Sequence, residues 1–415
     1  MLAGAGCGGG STQSKSASPT TTAVAAAAST TSTSGSPTTT VPPTTTPPTT
    51  VAPLAAGMEG GRAAVPWAEV GPGWTLAEWS PAAAVEPGST PAPAPTPTTV
   101  YLVDPEGGRY VITTFPASTF DAPGDLVGWS GDGRRALFTA SVSVSGGSGL
   151  GTTITELDLA TAATHSFTIT GNAETVGYTR PSGAAIVVAL EADGVGATIE
   201  RVDDASGAVQ LTYPTSFAGA GSTAGGFLYA PDGTELVLAT TAGLEVVSNG
   251  GAPVAALPVP ADGSYCVPER WWNSTTVLAQ CESSAPRLWL VPVSGAAPTA
   301  LTAALTGQGP DLGDEDAWAL PSGTFVQDAG GCGYQYLAKL QADATTTPVN
   351  VPGVKSGDSV LVAGADSGRL AIRATISCGP GETLAWYDPG AGTTTPLLGP
   401  SVNGGSVVDA LLFPA

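Results

Sequence analysis

A turn and the strand that leaves it recur along this chain, and their spacing restricts the fold more than any other feature. The clearest copies are LVGWSGDGRRALFTA (126–140), VGYTRPSGAAIVVAL (176–190) and GFLYAPDGTELVLAT (226–240). Looser copies follow in RWWNSTTVLAQC (270–281), AWALPSGTFVQDA (317–329) and VAGADSGRLAIRA (362–374). In the clearest copies a strand runs into a tight Gly-containing turn and an apolar strand comes back, the pattern of a hairpin. The copies recur every ~43–50 residues, the length of a propeller blade of four strands.

A second hairpin follows the first in each unit. TTITELDLATAATHSFTI, ATIERVDDASGAVQLTY, LWLVPVSGAAPTALT and LAWYDPGAGTTTPLL share an alternating strand, a short polar turn and a returning strand. Each unit therefore reads as four antiparallel strands, a to d. GWTLAEWSPAAAVEP (73–87) and TTVYLVDPEGGRYVITTF (98–115) supply b, c and d without an a, and SVVDALLFPA (406–415) supplies an a alone. Joined, they make a seventh blade and leave no sheet edge unpaired at the closure. The expected fold is all-β: a seven-bladed β-propeller over 66–415, closed by one C-terminal and three N-terminal strands.

Composition supports this reading and excludes several partners. Gly (56) and Pro (37) are abundant, which favours short strands joined by turns. Asp and Glu outnumber Lys and Arg by 34 to 13, for a formal charge of −21. That surplus repels phosphate backbones and anionic headgroups, so no nucleic-acid partner is expected, and membrane contact is expected through a lipid anchor alone. Residues 8–57 are almost all Ser, Thr, Pro, Ala and Gly, too poor in large apolar side chains to offset the entropy of ordering. They are expected to form a disordered spacer, whose Thr/Pro content permits O-glycosylation.

The small residues before Cys7 in MLAGAGCGGG resemble the lipobox of bacterial lipoproteins, although Gly4 stands where that family carries Leu and no charged or apolar leader precedes it. The resemblance implies lipidation of Cys7, residues 1–7 being a residual lipoprotein-like terminus. The other reading makes Cys7 an ordinary residue of a Gly-rich tail. At SGDGRR and APDGTE the chain resembles the WD40-like, TolB-type propeller repeats of bacterial envelope proteins. The resemblance implies that Asp132 and Asp232 bond the turn backbone while Gly133 and Gly233 take the left-handed conformation. TolB carries an α/β domain where this chain has its spacer, so TolB's partnerships are not implied. Composition and tethered layout also resemble those of actinobacterial lipoproteins.

Cys266, Cys281, Cys332 and Cys378 lie in the second half, without metal-ligand spacing, and the single histidine, His165, is far away in sequence. No metal or cofactor is expected, and the four cysteines suit two disulfides in an oxidising compartment. Cys266–Cys281 within a blade and Cys332–Cys378 between blades is the favoured pairing, with free buried thiols as the other reading. His165 falls on an outer d strand. Asp311, Asp314, Glu315 and Asp316 form an acidic cluster that reads as a solvated loop or as a ligand site at the channel mouth. Trp271, beside Trp272, reads as blade packing or as an exposed ring for a partner. Asp125, Glu174, Glu269 and Asp358 near the a-strand starts are candidates for paired-carboxylate chemistry.

No nucleophile elbow or phosphate-cradling loop is present, so no catalytic residue is assigned. The expected function is a monomeric, non-enzymatic, extracytoplasmic propeller, anchored or secreted, that binds an envelope protein, peptide or glycan. The competing reading is a carboxylate-based hydrolase or lyase acting on envelope glycans. Binding is expected on the d–a connections at 214–225, 258–270 and 306–317, which carry Phe217, Tyr265, Glu269 and the acidic cluster.

Overall fold

Continuous apolar runs in the second strand of a unit, such as 136–138 and 236–239, build sheets that are buried on both faces, and among the described residues there are seven sheets. A computed structural model describes residues 52–414 except 86–93, 118–122, 144–149, 182, 193–195, 215–222, 241–242, 261–264, 283–285, 306–310 and 378–380. Six sheets have four antiparallel strands in sequence order, and the seventh has five. The innermost strands, in blade order 1 to 7, are Asp125–Trp129, Ala173–Tyr178, Thr223–Tyr229, Tyr265–Asn273, Gly313–Leu320, Ser359–Asp366 and Ser406–Leu412. The core lies between adjacent blades. Leu137 and Ile154 of blade 1 pack on Val176, Ile186 and Val188 of blade 2, and Val237 and Leu244 of blade 3 pack on Val277 of blade 4. Each such buried aliphatic side chain contributes about 1.5–3 kcal/mol.

The a–b turns are built as the repeat implies. Asp132 accepts the Arg134 N–H at 3.0 Å and Asp232 the Thr234 N–H at 2.9 Å. Gly133 (φ 72°) and Gly233 (φ 73°) sit in the left-handed region that other residues avoid.

Blade 7 closes the ring. Ser406–Leu412 pairs antiparallel with Thr75–Ser80, setting Leu411 opposite Leu76, and Phe413 N–H donates to the Trp74 carbonyl at 2.8 Å. One strand lies further upstream than composition indicates. Glu59–Gly61 pairs parallel with the outer strand Arg109–Phe115, and the Leu54 N–H, within the expected spacer, donates to the Tyr110 hydroxyl at 2.8 Å. No helix among the described residues is long and apolar enough to cross a membrane.

Two sequence assignments change. The innermost strands of blades 3, 4 and 5 begin at Thr223, Tyr265 and Gly313, so Tyr265, Glu269, Asp314, Glu315 and Asp316 belong to strands. Asp314 is 1% exposed, so the reading of the acidic cluster as a solvated loop is overturned. The physical reason is register, because Asp314 pairs directly with Asp328 in the a–b ladder and faces inward. His165 is exposed on the outermost strand of blade 1, as expected. Phe217, Cys7 and Cys378 lie outside the described residues, so the Cys332–Cys378 pairing does too.

Candidate functional site

Every innermost strand breaks register against its neighbour, and in six blades the first break leaves one residue unpaired. Those residues are Val127, Glu174, Glu269, Glu315, Ala363 and Val408, in blades 1, 2, 4, 5, 6 and 7. A bulge bends its strand and re-aims side chains, so the wall around the axis departs from regular alternation in every blade. All innermost strands run the same way along the axis, from the d–a connections at one end to the a–b turns at the other. The two halves of this wall differ in chemistry.

The half nearer the d–a connections is acidic. Asp314 (1% exposed) and Asp328 (0%) face each other across the first two strands of blade 5, their carboxyls within reach of each other, with Thr302 beside Asp314 and Thr346 beside Asp328. The equivalent pairs, immediately before the bulge, are Leu126 with Phe138 in blade 1, Pro268 with Ala279 in blade 4 and Val362 with Ile372 in blade 6. Burial pushes both carboxyls of blade 5 upward, and each resists the charge of its neighbours, so the pair holds a proton. Oxygens of Asp311, Asp314 and Asp328 lie within 4.8 Å of one another, a donor set that a hard divalent cation could also take. In blade 7, buried Glu78 is pushed up to about 8 by burial, then by Asp409 and Asp125.

Beside them, Glu269 is pushed up to about 8 by burial and by the negative charge of Asp316. Asp316 is itself occupied. Arg270 donates to it from Nε at 2.7 Å and again from Nη2, while the guanidinium lies 4.4 Å above the Trp318 ring. Glu315 accepts from Gln335, and Asp311 accepts the Gly313 N–H. The acidic cluster is thus largely consumed by contacts within blades 4 and 5. Of the other candidate carboxylates, Asp358 accepts the Ser377 N–H in blade 6, Asp125 is exposed on blade 1, and the Glu174 side chain is not described.

The half nearer the a–b turns is apolar. A cavity of about 520 Å³ opens there, lined from the innermost strands of six blades, with Trp129, Tyr178, Phe227, Tyr229, Trp271 and Phe413 supplying aromatic rings. Arg180 and Arg270 also line it. Trp271 donates its indole N–H to the Tyr229 carbonyl at 2.7 Å, which fixes the ring between blades 3 and 4. Trp272, left unpaired by a second bulge, packs instead between blades 4 and 5. Arg270, which lines this cavity beside Trp271, is the residue that reaches Asp316 of the acidic cluster. A second cavity, of about 410 Å³, lies over blade 6 beside residues 352–355 and takes its walls from that blade and its own connections.

Cys266 and Cys281 form a disulfide between directly opposed residues of the first two strands of blade 4. Sequence reasoning missed Asp328 and Arg180. Asp328 leaves a trace, as an acid in the otherwise apolar strand of GTFVQDA. Arg180 leaves another: Gly183 stands five positions after Tyr178, against four from Trp129 to Gly133 and from Tyr229 to Gly233, so its turn is one residue longer.

No protein-family model matches this chain, and no curated protein is similar to it in sequence. Solved structures that are similar to it are propellers of unlike function. They include a dihydro-heme d1 dehydrogenase in complex with its ligand (13% identity, 81% of this chain and 80% of that one, TM-score 0.44). The β-propeller domain of the trilobed protease from Pyrococcus furiosus gives 11% identity over 73% of this chain and 87% of that one, with a TM-score of 0.45. TolB from Acinetobacter baumannii gives 21% identity over 54% of this chain and 62% of that one, with a TM-score of 0.33. At these levels the likeness extends to the fold alone.

Proposed function

We propose that this chain is a non-enzymatic propeller that works outside the cytoplasm and binds a protein, peptide or glycan partner in its axial channel. The observation that supports this reading most is the aromatic cavity at the a–b end, whose volume falls within the ~300–1,000 Å³ usual for ligand sites. Its rings come from separate blades, so the closed ring holds them in place before a ligand arrives and lowers the ordering cost of association. The Cys266–Cys281 bridge supports the extracytoplasmic address, since such bonds persist where thiols are not kept reduced. Lipidation at Cys7 and the spacer would hold the ring at the cell envelope.

A second reading, glycan hydrolysis or lysis, is favoured by one observation: Glu269, pushed up to about 8, stands beside a second carboxyl group, that of Asp316, as a general acid beside a carboxylate would. Against it stands the double hydrogen bond from Arg270, which occupies both oxygens of Asp316. Immobilised full-length protein, presented with envelope fragments and defined glycans, tests both readings. Retention that is lost in Phe227→Ala, with no cleaved product, is the expected result. Product release that is lost in Glu269→Gln would replace binding by catalysis.

A further inference from the structure

Arg180 stands apart from every other arginine of the chain. Each of the others donates to a carboxylate or an amide carbonyl, or lies over a tryptophan ring. The Arg180 guanidinium has no hydrogen bond, ion pair or ring contact among the described residues, in a protein whose acids outnumber its bases 34 to 13. Burial lowers its affinity for its proton, and no neighbouring charge acts in either direction. It lines the aromatic cavity. A half-buried donor without an acceptor, set in an aromatic cavity, asks for a ligand that accepts.

The backbone that carries Arg180 is held from both sides. A Cβ on Gly131 would fall 2.0 Å from the Pro181 carbonyl oxygen, and one on Gly233 would fall 2.0 Å from the Arg180 carbonyl oxygen. The longer turn of blade 2 is thus wedged between the turns of blades 1 and 3, at contacts that glycine alone allows. A guanidinium on a fixed turn, with its planar fork of donors unused, matches the geometry of a carboxylate.

Resting on the channel as the binding site, we infer that its a–b end captures the C-terminal carboxylate of a peptide or protein chain on Arg180. The aromatic wall takes the apolar side chain next to that carboxylate. A peptide terminus fits better than a uronic acid, because the rings around Arg180 offer few partners for sugar hydroxyls, which would be left unpaired on burial.

The test uses the full chain and three probes: N-acetyl-Leu-Phe with a free carboxylate, the same dipeptide as its C-terminal amide, and a glucuronate tetrasaccharide. Tryptophan emission and calorimetry report binding. The free acid is expected to bind at least tenfold more tightly than the amide. In Arg180→Gln the acid falls to the level of the amide, while amide affinity and melting temperature stay at wild-type values, and Arg180→Lys keeps part of the preference. Equal affinity for acid and amide in the wild type, or a preference that survives Arg180→Gln, overturns the inference and leaves the channel reading standing. Tighter binding of the tetrasaccharide than of the dipeptide overturns the peptide assignment. Binding of none of the probes overturns this inference, and loss of envelope retention in Phe227→Ala remains the separate test of the channel.

Discussion

Asp314 and Asp328 replace what is an apolar pair in blades 1, 4 and 6, and with Glu78 and Glu269 they make the stability of the ring depend on pH. The folded protein holds protons on these groups that the unfolded chain releases above about pH 4. The sign follows. Their contribution is complete below the unfolded value and is lost as pH rises toward the folded values, which for Glu78 and Glu269 are about 8. The melting temperature should therefore fall between pH 5 and pH 8, and Asp328→Asn or Glu78→Gln should flatten that slope. A melting temperature that rises over this interval would contradict the assignment, and a rise on adding Ca²⁺ that Asp328→Asn abolishes would show a cation in place of the proton. Asp316 behaves differently, because its charge is matched by Arg270 across two blades. Asp316→Asn should cost roughly 1–3 kcal/mol in urea unfolding, so it weakens the fold. These residues were visible as an acidic run, but not their burial, which depends on a bulge at Glu315 and on a partner on the next strand. Arg180 was visible as an extra turn residue. Its lack of a partner is a property of the assembled ring, and no local pattern carries it.

Among the strands, the first two of blade 4 are cross-linked by Cys266–Cys281, at a sequence separation of 15. Closing a loop of that size in the unfolded chain corresponds to ~3 kcal/mol. The Cys266→Ala/Cys281→Ala variant should lose about that much in a denaturant titration under oxidising conditions, and the wild type should lose the same on reduction. Identical midpoints for wild type and variant would show that the bridge adds nothing. Strand positions and pairings were legible because the Asp-Gly turns and the period-two alternation are local signals. The bulges were not, since an unpaired residue leaves no mark in composition. That is why the starts of the strands at Tyr265 and Gly313 were read as connections, and why Trp271 and Trp272, adjacent in sequence, pack in different inter-blade layers. The disulfide stood out for the opposite reason, as two cysteines flanking one hairpin.

At the level of the molecule, the ring was readable from arithmetic: six full units, three strands left over at one end and one at the other. Closure rests on the pairing of Ser406–Leu412 with Thr75–Ser80 and on the Trp79 N–H bond to the Gly404 carbonyl at 2.8 Å. Removing residues 404–415 should leave the Thr75–Ser80 edge open, abolish cooperative melting and promote association through that edge. A truncated chain that melts as sharply as the wild type, and stays monomeric in light scattering, would mean that the blades need no closure. The extra strand Glu59–Gly61 gives this closure a mechanical character. It is joined to Arg109–Phe115 by three residue pairs, on the outer rim of the blade whose innermost strand is the C-terminal one. Tension on the chain ahead of Leu54 reaches the Leu54 bond to Tyr110 and then this short outer ladder. It peels away while the four strands inside it remain paired, so the rim yields as a fuse and the clasp of the ring carries load only after the fuse has gone.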